Sequence, residues 1–227
     1  MLNIKKCILT NNDCYKANRT IKPQGIMVHS TGANNPNLRR YIQPDDGVLG
    51  VNKNKNDWNR AGVQKCVHAF IGLDKNGEVQ AYQTLPWNHR GWHAGGNANN
   101  THISFEICED DLANKDYFYK VYNKAIELCG YLCGQFNLNP DTIIDHNEGY
   151  KKGIASGHSD ITHWLSKYNL TMNDFRDEVR KKMEEEMTKE QAIEKLKTIF
   201  SNEETIQFLD MYRYGDELII KIAKNLK

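Results

Sequence analysis

The sequence predicts a protein that contains both β-strands and α-helices, followed by a small helical unit at its C-terminus. The short apolar run 25–28 opens onto polar residues at His29, a pattern typical of a buried strand that ends in a loop. Residues 116–136 instead place apolar side chains at helical spacing, which indicates an amphipathic helix with one buried face. With 227 residues, the chain is long enough for one well-cored domain and a small appendage.

Four further strands are indicated by short apolar or alternating segments. They are expected at residues 66–72, 78–83, 103–108 and 143–144. The turn signal Asp74-Lys75-Asn76-Gly77 joins the first two of these as a hairpin. Residues 33–64 are rich in Asn, Lys, Asp and Gly, and they predict a long irregular segment of a kind that is usually functional or mobile.

The C-terminal part of the chain carries helix-start signals and a charged run. Three pairs have the spacing of a helix N-cap and its partner: Thr171 with Asp174, Thr188 with Gln191, and Ser201 with Glu204. We therefore predict a main domain at residues 1–180, a charged linker at 181–187 and a small all-α unit at 188–227. Apolar residues at helical intervals predict three short amphipathic helices in this last unit. Because about forty residues rarely form a stable core alone, their apolar faces are expected to need a partner.

Composition excludes several classes of partner. The formal net charge is +1, so no strong field favours nucleic acid or an acidic membrane surface. No apolar run reaches the roughly 18 residues of a membrane span. The N-terminal residues lack the apolar core of a secretory signal, so we expect the protein to start in the cytoplasm. In that compartment the six cysteines, which include no CxxC pair, are expected to be reduced and structural.

The eight histidines are not spread evenly along the chain. His29 ends a predicted strand, and three histidines share one short polar stretch with Asp160: His146, His158 and His163. A catalytic zinc site needs three nitrogen, oxygen or sulfur ligands and an open position for water, which separated loop residues can supply. The alternative is that each histidine is an ordinary hydrogen-bonding group. Neither a CxxC finger nor an HExxH helix is present.

A metal site of this kind also needs a carboxylate that accepts a proton from the attacking water and passes it to the leaving group. Glu106 is the candidate, because it lies in the predicted strand between apolar Phe105 and Ile107. The alternative places Glu106 on the polar, solvent-facing side of that strand.

Several of these segments resemble the type 2 N-acetylmuramoyl-L-alanine amidases, which are similar in fold to the peptidoglycan recognition proteins. The most specific motif is Trp92-His93-Ala94-Gly95, and Val28-His29-Ser30-Thr31 and Ser104-Phe105-Glu106 resemble two strands of the family. Residues 153–160 with His163-Trp164 resemble the variant found in clostridial phage endolysins and prophage amidases. The resemblance covers about residues 20–180.

The resemblance implies an α/β fold, with a central mixed sheet flanked by helices and Zn²⁺ in a groove at the strand ends. It implies His29, His146 and Asp160 as metal ligands, Glu106 as the catalytic acid–base, and an oxyanion-stabilising role for His158. The family commonly has Lys-x-Asp or Lys-x-Cys where this chain has His158-Ser159-Asp160. This departure leaves a competing assignment, in which His158 binds the metal and Asp160 orients it.

Three further residues take roles from the same resemblance. His68 falls where many relatives carry a tyrosine beside the metal-bound water, although it could equally be a strand histidine paired with backbone. His93 and Trp92 are expected to line the groove that binds the sugar and peptide of the substrate.

The implied activity is hydrolysis of the amide between N-acetylmuramic acid and L-alanine in bacterial peptidoglycan. The expected role is that of a phage or prophage endolysin, held in the host cytoplasm until it is released to the cell wall. Residues 188–227 would then target the wall or mediate homo-oligomer formation. Two alternatives are a non-catalytic peptidoglycan-binding protein of the same fold and a cysteine peptidase that uses Cys66 or Cys108.

Overall fold

The structure is a computed structural model that describes residues 2–42, 48–185, 188–200, 203–211 and 215–225. The chain forms two compact units, residues 1–179 and 180–227. Among the helices in these described ranges, none has both the length and the apolar character required to cross a membrane.

The first unit is built on a six-stranded mixed sheet. Its strands are β1 (Ile4–Lys6), β2 (Gly25–Ser30), β3 (Ala69–Leu73), β4 (Val79–Gln83), β5 (His102–Ile107) and β6 (Ile143–Asp145). Their order across the sheet is β1-β4-β3-β5-β2-β6. Only the β3–β4 hairpin is antiparallel, and the other neighbouring pairs are parallel. Strand β2 is buried along its whole length, as expected of a strand in the middle of a layered sheet.

Five α-helices accompany these strands in the described part of the chain up to residue 185. They are α1 (Asp13–Lys16), α2 (Lys115–Phe136), α3 (His146–Lys151), α4 (Thr162–Lys167) and α5 (Met172–Glu185). The long helix α2 packs against β3 and β4, and α3 packs against β2 and β6. The predicted apolar face of α2 is buried, from Phe118 to Cys133. The α/β fold with a mixed sheet and flanking helices is thereby confirmed.

Two segments differ from the sequence-based expectation. Strand β3 begins at Ala69, because Cys66 forms an isolated antiparallel bridge with Trp92 instead of joining the sheet. The irregular segment predicted at residues 33–64 has few apolar residues. Several of them nevertheless form a core cluster with Phe70 and Tyr82 of the sheet. These anchors are Leu38, Tyr41, Ile42, Leu49 and Trp58. The described part of this segment is therefore packed on the fold.

The expectation that all cysteines are reduced is wrong for one pair. Cys14, in the short helix α1, is joined by a disulfide to Cys66, 52 positions further along the chain. Strand β2 and the long irregular segment lie between these two residues in the chain, and no local spacing in the sequence indicates their pairing. Among the described residues the other four cysteines take part in no disulfide, and Cys108, Cys129 and Cys133 are buried, in line with the structural role expected of them.

In the described part of the second unit, three short helices follow the end of α5, as predicted: α6 (Lys189–Ile199), α7 (Glu203–Met211) and α8 (Gly215–Asn225). Thr188 and Gln191 form the expected capping box at the start of α6. The helices bury their apolar faces against one another, around Leu196, Ile206 and Ile219. The predicted linker is helical as far as Glu185, and the predicted cap residue Ser201 lies outside the described residues.

Candidate active site

Three parallel strands end at the same edge of the sheet and bring the candidate residues together. His29 is the penultimate residue of β2 and lies in register with Glu106, the penultimate residue of β5. Strand β6 pairs with the other side of β2 and ends at Asp145, so that His146 is the first residue of α3. The carboxyl end of a parallel sheet is where α/β proteins commonly place their sites.

Helix α3 holds His146 at a fixed position. Asp145 caps the helix by accepting a hydrogen bond from the Glu148 backbone N–H, and the Glu148 side chain accepts one from the Asp145 N–H. Arg176 of α5 pairs with the same Glu148 carboxylate at 2.9 Å. The first turn of α3 is therefore stabilised by its own capping box and by an ion pair with α5.

Asp160 reaches this edge from the loop that precedes α4. Its Oδ2 lies 2.7 Å from Nδ1 of His29, and its Oδ1 lies 3.3 Å from Nδ1 of His146. Each of the three residues offers one ligand atom, and these atoms lie within 4.8 Å of one another. Two imidazole nitrogens and one carboxylate oxygen form a donor set that suits zinc, so the residues present fit the metal that the resemblance implies.

The other ring nitrogens of both histidines also have partners. Nε2 of His29 lies 3.0 Å from Nδ1 of His93, and Nε2 of His146 lies 3.3 Å from the hydroxyl of Ser156. Ser156 is fixed in turn, because its backbone N–H donates to the carbonyl of Ala94 at 2.7 Å. Such outer partners orient a histidine so that its remaining nitrogen faces the metal position.

The electrostatics keep these groups in the form that a cation requires. Burial lowers the pKa of His29, against the opposing effect of its hydrogen bond with Asp160. Burial alone would raise the pKa of Asp160, but the hydrogen bonds with His146 and His29 outweigh it and hold that pKa below its usual range. A neutral His29 and an ionised Asp160 at neutral pH are the protonation states that bind metals.

Glu106 faces the same cleft. Its Oε2 is buried and has no hydrogen-bond partner among the described residues. Burial raises its pKa well above the usual range, and the charges of Asp160 and Glu109 raise it further. The alternative in which Glu106 is a solvent-facing strand residue therefore does not hold.

The cleft has a volume of about 370 Å³. It is lined by His29, Ser30, Thr31, Gly32, His93, Glu106, His146, His158, Ser159, Asp160 and His163. His158 is exposed at its rim, and the centroid of its ring lies 4.7 Å from that of His146. The compact group of three ligand atoms includes Asp160 and not His158, which favours the first of the two assignments that the sequence left open.

The predicted catalytic role of His68 is wrong. His68 is fully buried, and its Nε2 lies 2.8 Å from the backbone oxygen of His89. Its Nδ1 accepts a hydrogen bond from the Ser104 N–H at 3.0 Å. Burial lowers its pKa to about 4. Because both ring nitrogens are engaged by backbone and the residue does not line the cleft, His68 links loop and sheet as a core residue.

The two predicted substrate-binding residues have different surroundings. His93 lines the cleft, but its Nδ1 contacts His29 directly, and its Nε2 is buried without a hydrogen-bond partner among the described residues. Trp92 is 47% exposed and lies outside the cleft lining. The guanidinium of Arg90 lies 5.9 Å from the centroid of its ring.

Reasoning from the sequence missed the residues that support the ligands. Ser156 holds His146, and Asn99 accepts hydrogen bonds from the backbone N–H groups of His93 and Ala94. Glu109 pairs with Ser30 and His163 at the edge of the cleft. These residues are close only in the folded chain, so no local spacing in the sequence could have identified them.

The structure argues against the cysteine peptidase alternative. Cys66 is engaged in the disulfide with Cys14. Cys108 is fully buried in the core, and burial raises the pKa of its thiol well above the usual range. A nucleophilic cysteine needs an exposed thiol of lowered pKa, which neither residue provides.

Comparison with known proteins agrees with this geometry. The chain is 31% identical over 100 residues to the N-acetylmuramoyl-L-alanine amidase XlyA of Bacillus subtilis (strain 168), in an alignment that covers 36% of this chain and 33% of XlyA. The chain therefore spans about a third of the length of that relative.

Solved structures share the fold. The structure of PlyL superposes with a TM-score of 0.55 at 22% identity, over 78% of this chain and 97% of PlyL. A mutant endolysin from Bacillus subtilis gives 0.52 at 23% identity, over 79% of this chain and 99% of that one.

The family profile covers the segment that builds the cleft. Residues 19–164, more than half of the chain, match the profile of the N-acetylmuramoyl-L-alanine amidases. This range contains β2 with His29, β5 with Glu106, α3 with His146 and the loop with Asp160. The chain belongs to the N-acetylmuramoyl-L-alanine amidase family.

Proposed function

We propose that this protein is a zinc-dependent amidase that hydrolyses the bond between N-acetylmuramic acid and L-alanine in bacterial peptidoglycan. The observation that carries the proposal is the convergence of His29, His146 and Asp160, whose ligand atoms lie within 4.8 Å of one another. The same cleft holds the carboxylate of Glu106, whose Oε2 has no hydrogen-bond partner among the described residues. Membership of the family supports the choice of substrate.

His29, His146 and Asp160 would hold the zinc ion. When bound, zinc lowers the pKa of a water molecule and polarises the carbonyl of the scissile amide. Glu106 accepts the proton of the attacking water and donates it to the leaving nitrogen of L-alanine. A carboxylate with a raised pKa suits this exchange, because it holds a proton more readily near neutral pH than an ordinary glutamate does.

His158 supplies a hydrogen-bond donor to the oxygen that becomes negatively charged as the water attacks. Its exposed position at the rim of the cleft, beside His146, makes it accessible to a bound substrate. Trp92 offers an exposed indole ring on which a sugar can stack. Both assignments come from the resemblance to the amidase family, and the exposure of the two side chains is consistent with them.

The biological role that we propose is wall lysis as a phage or prophage endolysin, released to the wall from the host cytoplasm. One solved structure of the same fold is described as an endolysin from Bacillus subtilis, which supports this choice. The second unit would act in targeting the wall or in self-association. The competing function, peptidoglycan binding without catalysis, is disfavoured because the three ligand candidates and the acidic residue occupy one cleft.

The test of metal dependence uses the full chain and purified cell walls. Dialysis against a strong chelator should abolish the release of soluble wall fragments, and added zinc should restore it. His29→Ala should lose zinc and activity together. His89→Ala is the matched control, because His89 does not line the cleft and should keep both. Full activity of protein shown to be free of metal would refute the proposal.

A further inference from the structure

We propose that Glu109 is a positioning residue which, through Ser30 and His163, holds Asp160 between His29 and His146. The inference rests on the proposed function, because it takes these three residues as the zinc ligands. It concerns how the loop that carries Asp160 is kept in place, and it assigns Glu109, Ser30 and His163 a role in metal binding.

The residue that follows Asp160 has a backbone conformation that needs external support. Ile161 has φ +60° and ψ −37°, outside the regions that β-branched residues adopt without strain. Ile161 is 1% exposed, and this residue directly precedes α4. Strained backbone of this kind persists only where the surrounding structure determines it.

Ile161 is held by Ser30, the neighbour of ligand His29. The backbone N–H of Ile161 donates to the hydroxyl of Ser30 at 2.8 Å, and that hydroxyl donates to Oε1 of Glu109. Because the hydroxyl hydrogen is directed at Glu109, a lone pair of the Ser30 oxygen remains for Ile161. Glu109 thereby orients the contact that fixes the residue after Asp160.

The residue before Asp160 is held through the same carboxylate. Nε2 of His163 lies 3.1 Å from Oε1 of Glu109, and Nδ1 of His163 lies 3.1 Å from the carbonyl oxygen of Ser159. Ser159 and Ile161 flank Asp160 in the sequence. Because both of these oxygens can only accept hydrogen bonds, His163 makes the two contacts together when each of its ring nitrogens carries a proton. Both neighbours of the proposed ligand are then connected to Glu109, each through one intermediate side chain.

Glu109 is itself rigidly placed. It is 4% exposed, its backbone N–H donates to the hydroxyl of Thr31 at 3.0 Å, and its carbonyl accepts from the Asn35 N–H at 2.8 Å. The contacts do not form a nucleophilic triad, since Ser30 and His163 bind the same oxygen of Glu109 and no hydrogen bond joins the two. The geometry points to support of the ligand loop rather than to a second reacting group.

The experiment measures the affinity of the full chain for zinc by competition with a chelating dye, together with the thermal unfolding of the metal-free protein. Ser30→Ala and Glu109→Ala should each weaken zinc binding by about 10–100-fold, as is typical when an outer partner of a ligand is lost. Glu109→Gln keeps an oxygen that can accept from both Ser30 and His163, so it should restore most of the affinity. Thr84→Val is the matched control, because it removes another buried hydroxyl that donates to backbone, at 2.8 Å to Val67, away from the cleft.

The outcomes separate this inference from the proposed function. If the unsubstituted chain binds no zinc, both are overturned. If the unsubstituted chain binds zinc and Ser30→Ala binds it as tightly, only the positioning role is overturned. Ser30→Ala tests this role even if Glu109→Ala fails to fold. If Glu109→Gln and Glu109→Ala lose the same amount of zinc affinity, the positioning role is also overturned, because the charge of Glu109 and not its hydrogen bonds would then govern the affinity. Weakened binding in Ser30→Ala, with restored binding in Glu109→Gln and unchanged binding in Thr84→Val, is the result that we expect.

Discussion

Replacing Glu106 by glutamine separates catalysis from folding and from metal binding. The substitution keeps the shape of the side chain but removes a proton acceptor whose Oε2 has no hydrogen-bond partner among the described residues. Loss of a positioned acid–base group costs about 10²–10⁴ in rate, or roughly 3–5 kcal/mol of transition-state stabilisation. Turnover of purified walls or of a soluble muropeptide should fall by that factor while zinc content stays unchanged.

The structure also predicts the sign of the effect on stability. Because burial raises the pKa of Glu106, ionisation of this group opposes folding once the pH is above the pKa of an ordinary glutamate. Glu106→Gln removes that cost together with repulsion from Asp160 and Glu109, so the metal-free variant at pH 7 should be at least as stable as the original chain. Glu127→Gln, on the Lys124-paired surface of α2, is the control and should leave turnover unchanged. Near-normal turnover of folded, zinc-loaded Glu106→Gln would refute the acid–base role.

Three further predictions follow from the site and the second unit. Asp160→Ala should lose zinc during dialysis, whereas His158→Ala should keep zinc and lose turnover; metal analysis that gives the reverse pattern would show that His158 is the ligand. His68 has a pKa of about 4 in the folded chain and of about 6.5 when unfolded, so the free energy of unfolding should fall by about 3 kcal/mol as the pH decreases between these values. In denaturant unfolding of His68→Asn, the free energy of unfolding should fall by about 3 kcal/mol less over this pH range than it does in the original chain. An equal fall in both proteins would contradict the buried, neutral state of His68. A shortened chain that ends near residue 187 should bind zinc and cleave soluble muropeptide yet lyse intact cells more slowly, and equal lysis at the same oligomeric size would leave residues 188–227 without a targeting or assembly role.

Much of the fold could be predicted because periodicity and turn chemistry act locally. The apolar run before His29 and the spacing of Phe118, Tyr122 and Cys129 identify a strand and a helix without reference to the rest of the chain. The same holds for the capping box of Thr188 and Gln191. Such features depend on neighbours within one or two turns, which the sequence displays directly.

Features that depend on distant contacts could not be predicted. The disulfide between Cys14 and Cys66 forms across an irregular segment whose path no periodicity describes. The expectation that the apolar faces of the second unit need a partner rested on the small size of the unit, and the sequence did not show that Leu196, Ile206 and Ile219 pack together within it.

The candidate site likewise contains residues that could be identified from the sequence and residues that could be identified only from the fold. The resemblance to the amidase family implied His29, His146 and Asp160 as metal ligands, and the fold brings these three residues together. The role assigned to His68 came from its position in a motif, and its pairing with the backbone of His89 and Ser104 was not visible there. The link from Glu109 through Ser30 to Ile161 joins three separate segments, so it could be found only in the folded chain.

The central claim, that this cleft cleaves the amide between the sugar strand and the stem peptide, is tested most directly by the new chemical ends formed when the full chain digests purified cell walls. The account predicts that free amino groups of L-alanine increase in step with the loss of turbidity, while the number of reducing sugar ends stays constant. Reducing ends that increase instead, or walls that bind the protein without forming any new end, would contradict it.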